Sequence, residues 1–309
     1  NQLTAAQAIV PSSAKIIQNR VGTAPIMWFE QYPDKVLVAM PGVPFETQEM
    51  FSSEAFPALL KKYNDLTYVC HHTLIVTDIT ESDLATRLTS WETSLPDNFH
   101  LAYLPNPGYI KLRLDGVGSD INYTESKLNQ LTTELKSLCG NELLYDGDKD
   151  LAEILLEKLI SHNLTAGTAE SCTGGNIAHM ITLISGSSAA MNGGIIAYSN
   201  KVKTKLLNVD ELTLQEHGAV SEPVVNLMVK GTQELLNCDV ALATSGIAGP
   251  TGGTPEKPVG TVCIAVACKN LKKSHTYHFP GDRQRVINRA TNTAMIMAIR
   301  MIDIHCDNK

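Results

Sequence analysis

The 309-residue sequence has no excess of positive charge: 25 Lys and Arg stand against 32 Asp and Glu, a formal net charge of −7. That balance argues against bulk attraction to nucleic acid or to an anionic membrane, both of which need basic patches. No apolar run reaches the ~18 residues of a transmembrane span, so no membrane partner is expected. No secretory signal pattern is read in the opening residues. The seven cysteines, at 70, 139, 172, 238, 263, 268 and 306, contain no CxxC pair and no metal-finger spacing. They read as free thiols of a reducing cytoplasm. Low-complexity segments and internal repeats are also missing. Residue 1 is Asn rather than Met, with no strand-forming run before the first helical stretch. The expectation is that an N-terminal fragment is absent from this chain.

What is present is ordinary globular composition, with 43% hydrophobic and 18% charged residues. The length suggests two or three domains of ~100–200 residues. A helix-like segment over 2–9 ends at Pro11. Residues 35–40 form a short apolar run bounded by turns, read as a buried strand. Pro41-Gly42-Val43-Pro44 then leads into a helix over 45–56. A strand, such a turn and a helix start can be a phosphate loop or merely a rigid connection.

Residues 65–147 alternate β-rich and helical stretches. A strand is expected at 73–77 and a helix at 81–91, with Leu84 and Leu88 on one face. Residues 109–114 alternate apolar with basic, the pattern of a half-exposed strand. A second helix over 123–138 carries Leu128, Leu131, Leu135 and Leu138. This predicts a small α+β unit with helices on one face of an antiparallel sheet. The polar run 146–150 is the expected joint.

Beyond it, helices and strands alternate. Asp150 can cap a helix bearing Leu151, Ile154, Leu155 and Leu159. Strands are expected at 164–168, 194–197, 239–245, 259–267 and 274–279, the last two pairing antiparallel. Helices are expected over 200–207 and from Ser221 to about 236, and a long one closes the chain. The result is a layered α/β domain, where ligands sit at the carboxyl ends of strands. Four loops gather there: 169–175, 198–203, 245–258 and 280–285.

The run Ala-Glu-Ser-Cys-Thr-Gly-Gly at 169–175 precedes an amphipathic helix with Ile177, Met180, Ile181 and Ile184 in one stripe. Gly174 and Gly175 allow a sharp turn or a close ligand approach. The helix start would offer free N–H groups to an anion or oxyanion. Ser171 becomes a nucleophile only if something takes its proton, and Lys203 is the candidate. That lysine must be neutral to act, through desolvation or a nearby cation such as Lys201. Simpler roles are available to each residue. Ser171 could be an N-cap, Glu170 a local cap, Cys172 a buried structural thiol, Tyr198 a packing residue and His217 a turn residue. Arg283 and Arg285 at a helix start oppose the helix dipole, which favours an anion-binding role.

Several ungapped runs carry a resemblance. They are 169–175, Gly-Ser-Ser-Ala (186–189), Tyr-Ser-Asn-x-x-Lys (198–203), His-Gly-Ala-Val-Ser-Glu-Pro-Val-Val (217–225), Ser-Gly-Ile-Ala-Gly-Pro-x-Gly-Gly (245–253), Glu-Lys-Pro-Val-Gly-Thr-Val (256–262) and Phe-Pro-Gly-Asp-Arg (279–283). In these the sequence resembles the CinA family, whose C-terminal domain also exists alone as a PncC-type nicotinamide mononucleotide deamidase. The runs 19–25 and 41–46 resemble the closing part of the family's molybdopterin-biosynthesis-like first domain. The resemblance implies three α/β or α+β parts: a truncated first domain over 1–58, a KH-like α+β middle domain over 59–147 and a layered α/β amidohydrolase domain over 148–309.

It further implies hydrolysis of the carboxamide of nicotinamide mononucleotide to nicotinic acid mononucleotide and ammonia, in pyridine nucleotide salvage. Ser171 would be the nucleophile, Lys203 its base and Tyr198 an aid to proton transfer. Backbone donors around 172–175 or Gly246 would hold the oxyanion. Ser188 and Thr173 would position substrate, and Arg283 would contact its phosphate. Glu170, Gly174, Gly175, Asn200, Ser245 and Gly249 complete the expected binding set. No metal or other cofactor is implied for this reaction, and a cytoplasmic homodimer is expected. Two alternatives stand beside it. One is an ADP-ribose pyrophosphatase using divalent metal and potassium in the first domain. The other is a non-catalytic competence-related protein.

Overall fold

The computed structural model describes residues 9–32, 34–63 and 67–307. The chain divides into two compact units between Tyr68 and Val69. In the first, β1 (Lys15–Ile17), β2 (Ile26–Tyr32) and β3 (Lys35–Ala39) form an antiparallel sheet in that order. β3 is therefore an edge, and Leu37 on it is 67% exposed. The apolar run alternates instead of being buried on both faces, which corrects the expected buried strand. The helix expected over 45–56 starts one residue earlier, as α1 (Pro44–Met50). It passes through a π-helical turn at Phe51–Ala55 and continues as α2 (Phe56–Lys62). Met50 and Ala55 pack on Ile26 as its small core. The helix-like segment read at 2–9 lies, but for Ile9, outside the described residues.

The second unit holds two sheets. The first has four strands in the order β5-β6-β4-β7: β4 (Tyr68–Val76), β5 (Phe99–Asn106), β6 (Tyr109–Gly118) and β7 (Leu143–Asp146). Ile110, Leu112 and Leu114 of β6 point inward while Arg113 is exposed, as the alternation predicts. Leu84 and Leu88 of α3 (Glu81–Thr93) and Leu135 of α4 (Ile121–Cys139) pack with them on this sheet. Leu138 leaves the expected stripe; Cys139 takes the buried place.

A five-stranded sheet forms the rest. Its order is β12-β11-β10-β8-β9, built from β8 (Ala166–Glu170), β9 (Met191–Ile196), β10 (Val240–Gly246), β11 (Thr261–Cys268) and β12 (Leu271–His278). β9, β8 and β10 run parallel, and β11 and β12 return antiparallel. Along β10, Val240 and Leu242 face one cluster while Ala241 and Ala243 face another. The period of two thus buries a strand on both faces. The large-residue face is covered by α5 (Leu151–Ser161), α6 (Asn176–Thr182) and α10 (Arg283–Asp307). The alanine face takes α7 (Asn200–Leu207) and α9 (Glu222–Leu236). Small side chains let these layers come close. A Cβ on Gly231 of α9 would lie 2.1 Å from the Leu207 carbonyl oxygen.

The expected joint at 146–150 is a turn in the chain but not a gap in packing. Ile75 and Leu144 of the four-stranded sheet share a buried cluster with α5 and α10. Arg300 of α10 donates to the Leu143 carbonyl and to Thr77 Oγ1. Asp150 and Glu153 form the capping box that starts α5. Among the described residues, no helix is long and apolar enough to cross a membrane.

Candidate active site

Sheet topology decides which loops meet. Parallel β8, β9 and β10 end on the same side, at Glu170, Ile196 and Gly246. Antiparallel β11 begins there, since Gly246 pairs with Val262 and the Ile247 amide donates to the Thr261 carbonyl. β12 ends there too, with His278 opposite Thr261, and delivers the start of α10. Residues 171–175, 197–203, 246–260 and 279–283 therefore converge.

Ser171 follows the last residue of β8, and its amide donates to the Thr244 carbonyl at 3.0 Å. Its side chain is not an N-cap. Four turn residues intervene before α6, whose cap position is Gly175 at φ 100°. That left-handed conformation suits glycine, and an added Cβ would press on Ile196 Cδ1 at 3.3 Å. Gly174 is also left-handed but opens to free space. The two glycines make the turn.

Lys203 lies one turn into α7, a helix capped by the Ser199 hydroxyl on the Val202 amide. This lysine is 1% exposed. Its Nζ is 3.1 Å from Ser171 Oγ, 2.7 Å from the Ala197 carbonyl oxygen and 3.4 Å from that of Tyr198. Among the described residues it forms no ion pair, and burial pulls its pKa down from the usual lysine value. Lys201 is exposed, because positions i and i+2 of a helix face apart. Desolvation, rather than the neighbouring cation considered above, is what depresses Lys203.

Cys172 is buried, and desolvation pushes its thiol up to about 12. A thiol held there is not a nucleophile near neutral pH.

A cavity of about 220 Å³ opens beside this pair. Ser171, Cys172, Tyr198, Asn200, Lys203, Ala219, Val220, Ser245, Gly246, Ala248 and Arg283 line it. Tyr198 stands 64% exposed at this cavity. Among the described residues, no carboxylate lines it. Arg283 contributes a guanidinium, one arm of which donates to the Gly249 carbonyl at 2.8 Å.

The family model of the CinA C-terminal domain matches residues 148–302. That of the damage-inducible protein CinA KH domain matches residues 71–143. A CinA-like protein of Flavobacterium psychrophilum is 36% identical over 302 residues, covering 97% of this chain and 72% of the relative. One from Cytophaga hutchinsonii is 39% identical, covering 97% and 71%. The chain belongs to the CinA family. The crystal structure of competence/damage inducible protein CihA from Agrobacterium tumefaciens is also similar, at 35% identity. It covers 50% of this chain and 96% of that one, with a TM-score of 0.48.

Of the residues that the CinA resemblance nominates, Ser171, Tyr198, Asn200, Lys203, Ser245, Gly246 and Arg283 share the cavity. The others do not line it. The Glu170 carboxylate is buried and accepts from the amides of Gly175, Ile177 and Ala178 at 2.9–3.0 Å. It occupies the start of α6 itself, so that helix offers no free anion site. Thr173 is turned to Thr244, hydroxyl to hydroxyl at 2.7 Å. Gly249 is buried behind Arg283. Ser188 precedes β9, whose first residue pairs with Ala166 at the far end of β8. It therefore sits at the opposite end of the strands from the cavity, exposed.

Ala219, Val220 and Ala248 line the cavity without having been nominated. They fall within matched runs, but small apolar side chains carry no chemical signal. Ser245 is also recast: its hydroxyl donates to the Ala219 carbonyl at 2.7 Å, as a strut. Ser221 occupies the cap position of α9, yet its hydroxyl donates back to the Gly218 carbonyl. Among the described residues, no cluster of three or more His, Cys, Asp or Glu side chains is placed to hold a metal.

Proposed function

We propose that this site hydrolyses a primary carboxamide by Ser–Lys chemistry, and that the substrate is nicotinamide mononucleotide. The observation that carries the reading is a buried lysine, without a counter-ion among the described residues, 3.1 Å from a serine hydroxyl. A buried ammonium without an anion is costly, so the amine sheds its proton. A neutral amine has two N–H groups and one lone pair. In that neutral form the two N–H groups are assigned to the Ala197 and Tyr198 carbonyls and the lone pair to the Ser171 hydroxyl, 3.1 Å away; the protonated form would instead donate to all three oxygens. The neutral arrangement is the one a general base needs.

In this scheme Lys203 takes the Ser171 proton as Oγ attacks the amide carbon. The tetrahedral oxyanion forms, and the ammonium returns its proton to the leaving nitrogen. Ammonia departs as the C–N bond breaks and an ester remains on Ser171. Water, deprotonated by Lys203, then attacks the ester and releases the carboxylate and the serine. Among the described residues, the amides of Cys172 and Thr173 make no backbone hydrogen bond. They are our candidates for the oxyanion, whereas Gly175 is spent on Glu170. A donor of this kind contributes about 3–4 kcal/mol.

Substrate choice rests on the resemblance and on charge. With Lys203 neutral and no carboxylate among the described residues that line the cavity, Arg283 leaves the site positive, which suits an anionic substrate. The cavity is smaller than the ~300–1,000 Å³ of many ligand sites. We place the ring and carboxamide inside it and the phosphate toward Arg283, with Tyr198 bordering the leaving group. The test is ammonia release from nicotinamide mononucleotide by the wild type, Ser171→Ala and Lys203→Met. Turnover by the wild type alone supports the reading; near-wild-type turnover by either variant ends it.

A further inference from the structure

We propose that Lys257 is a positioning residue: it clasps the Ala219–Val220 wall of the cavity in place and thereby sets how well substrate is held. The inference rests on the deamidase reading above, which concerns the same cavity.

The wall follows α8 (Glu211–His217) across Gly218. Val220 packs on the hydrophobic cluster under α7 and α9, and two outside side chains bond the backbone carbonyls of the connection. From below, Ser245 at the end of β10 donates to the Ala219 carbonyl. From the long loop after β10, Lys257 Nζ donates to the carbonyls of His217 and Val220, each at 2.8 Å. Among the described residues Lys257 forms no ion pair, so its charge is directed at these two backbone oxygens. The His217 carbonyl belongs to the last turn of α8, where a cation also meets the negative end of the helix dipole.

The loop is shaped to present this ammonium. The Thr254 amide donates to the Lys257 carbonyl at 2.9 Å, and the Lys257 amide donates to Thr254 Oγ1 at 3.1 Å. That closes a tight turn at the base of the side chain. The opposite end of the loop is fixed by Arg283 on the Gly249 carbonyl. Lys257 touches neither Ser171 nor Lys203. Losing it leaves the reacting pair intact and frees one side of the wall. The consequence falls on substrate binding rather than on the chemical step.

The experiment compares the full chain with Lys257→Met and Lys257→Arg, using nicotinamide mononucleotide as substrate and ammonia release as readout. Lys257→Met keeps the stem but removes the donors. Its KM is expected to rise about tenfold or more with kcat within about threefold and an unchanged acid limb of the pH profile. Lys257→Arg restores most of the affinity. Hydrogen exchange of the amides at 218–221, measured without substrate, is expected to accelerate in Lys257→Met and to stay near wild type in Lys257→Arg. An unchanged KM with unchanged exchange overturns the clasp. So does a collapse of kcat with a displaced acid limb, which would put Lys257 in the chemistry. If the wild type releases no ammonia, the deamidase reading fails, and the exchange data alone decide whether the clasp exists.

Discussion

Lys203 Nζ lies 3.1 Å from Ser171 Oγ in a layer where the lysine is 1% exposed and, among the described residues, has no ion-pair partner. The two residues reach each other because β8 and β9 are parallel neighbours. One carries Ser171 at its end, and the other leads into the helix that bears Lys203. The charge state of that lysine governs the expected behaviour of the site.

Activity should rise with pH along an acid limb set by Lys203. Burial lowers its pKa below the ordinary 10.5, and the base works only when deprotonated. The logarithm of kcat/KM for ammonia release is thus expected to climb with a slope of about one and level off below 10.5. A rate still climbing through the ordinary lysine range would contradict a buried base.

Lys203→Met should abolish turnover and stabilise the fold. The unfolded chain holds the lysine proton up to about 10.5, whereas the folded chain releases it earlier. In that window the unfolded state binds more protons, so wild-type stability rises with pH. Urea unfolding near pH 7 is expected to show the variant more stable by about 1 kcal/mol or more, the scale of relieved desolvation. The gap should narrow as pH approaches 10.5. A variant less stable than wild type at both values would mean that the ammonium is well solvated after all.

Glu170→Gln should damage the turn that carries Ser171. One carboxylate oxygen accepts from Gly175 and Ile177, and the other from Ala178. An amide keeps one acceptor and turns its NH₂ toward an N–H group. The expected loss is about 1–3 kcal/mol in urea unfolding, with reduced turnover from a displaced serine. Unchanged stability would show that the three amides have other partners.

Cys172→Ala should keep most of its activity. A thiol pushed up to about 12 is protonated near pH 7 and resists alkylation. Turnover within about threefold of wild type is expected, with a packing cost near 1 kcal/mol. Loss of turnover in Cys172→Ala with the fold intact would promote the thiol over the hydroxyl.

Much of this arrangement is legible in the sequence. The helix capped at Asp150, the β10 strand and the antiparallel β11–β12 pair follow from periodicity and turn chemistry. Ser171 and Lys203 are found because nucleophile and base have recognisable side chains. The local-cap role offered for Glu170 is also what its carboxylate does, at the start of α6 five to eight residues on. Other features depend on pairing partners that lie far apart in the chain. Ser188 shares a motif with no geometric signal of which end of β9 it occupies. The edge position of β3 likewise depends on β1 and β2, whose short mixed patterns leave them unread. Lys257 acts through backbone carbonyls, which every residue possesses and no motif marks.

The most direct test is to quench the enzyme with acid during turnover of nicotinamide mononucleotide and map the modified peptide by mass spectrometry. An ester of nicotinic acid mononucleotide, through its carboxyl group, on Ser171, absent from Ser171→Ala, is the predicted result. An adduct on Cys172, or turnover by Ser171→Ala at the wild-type rate, would contradict it.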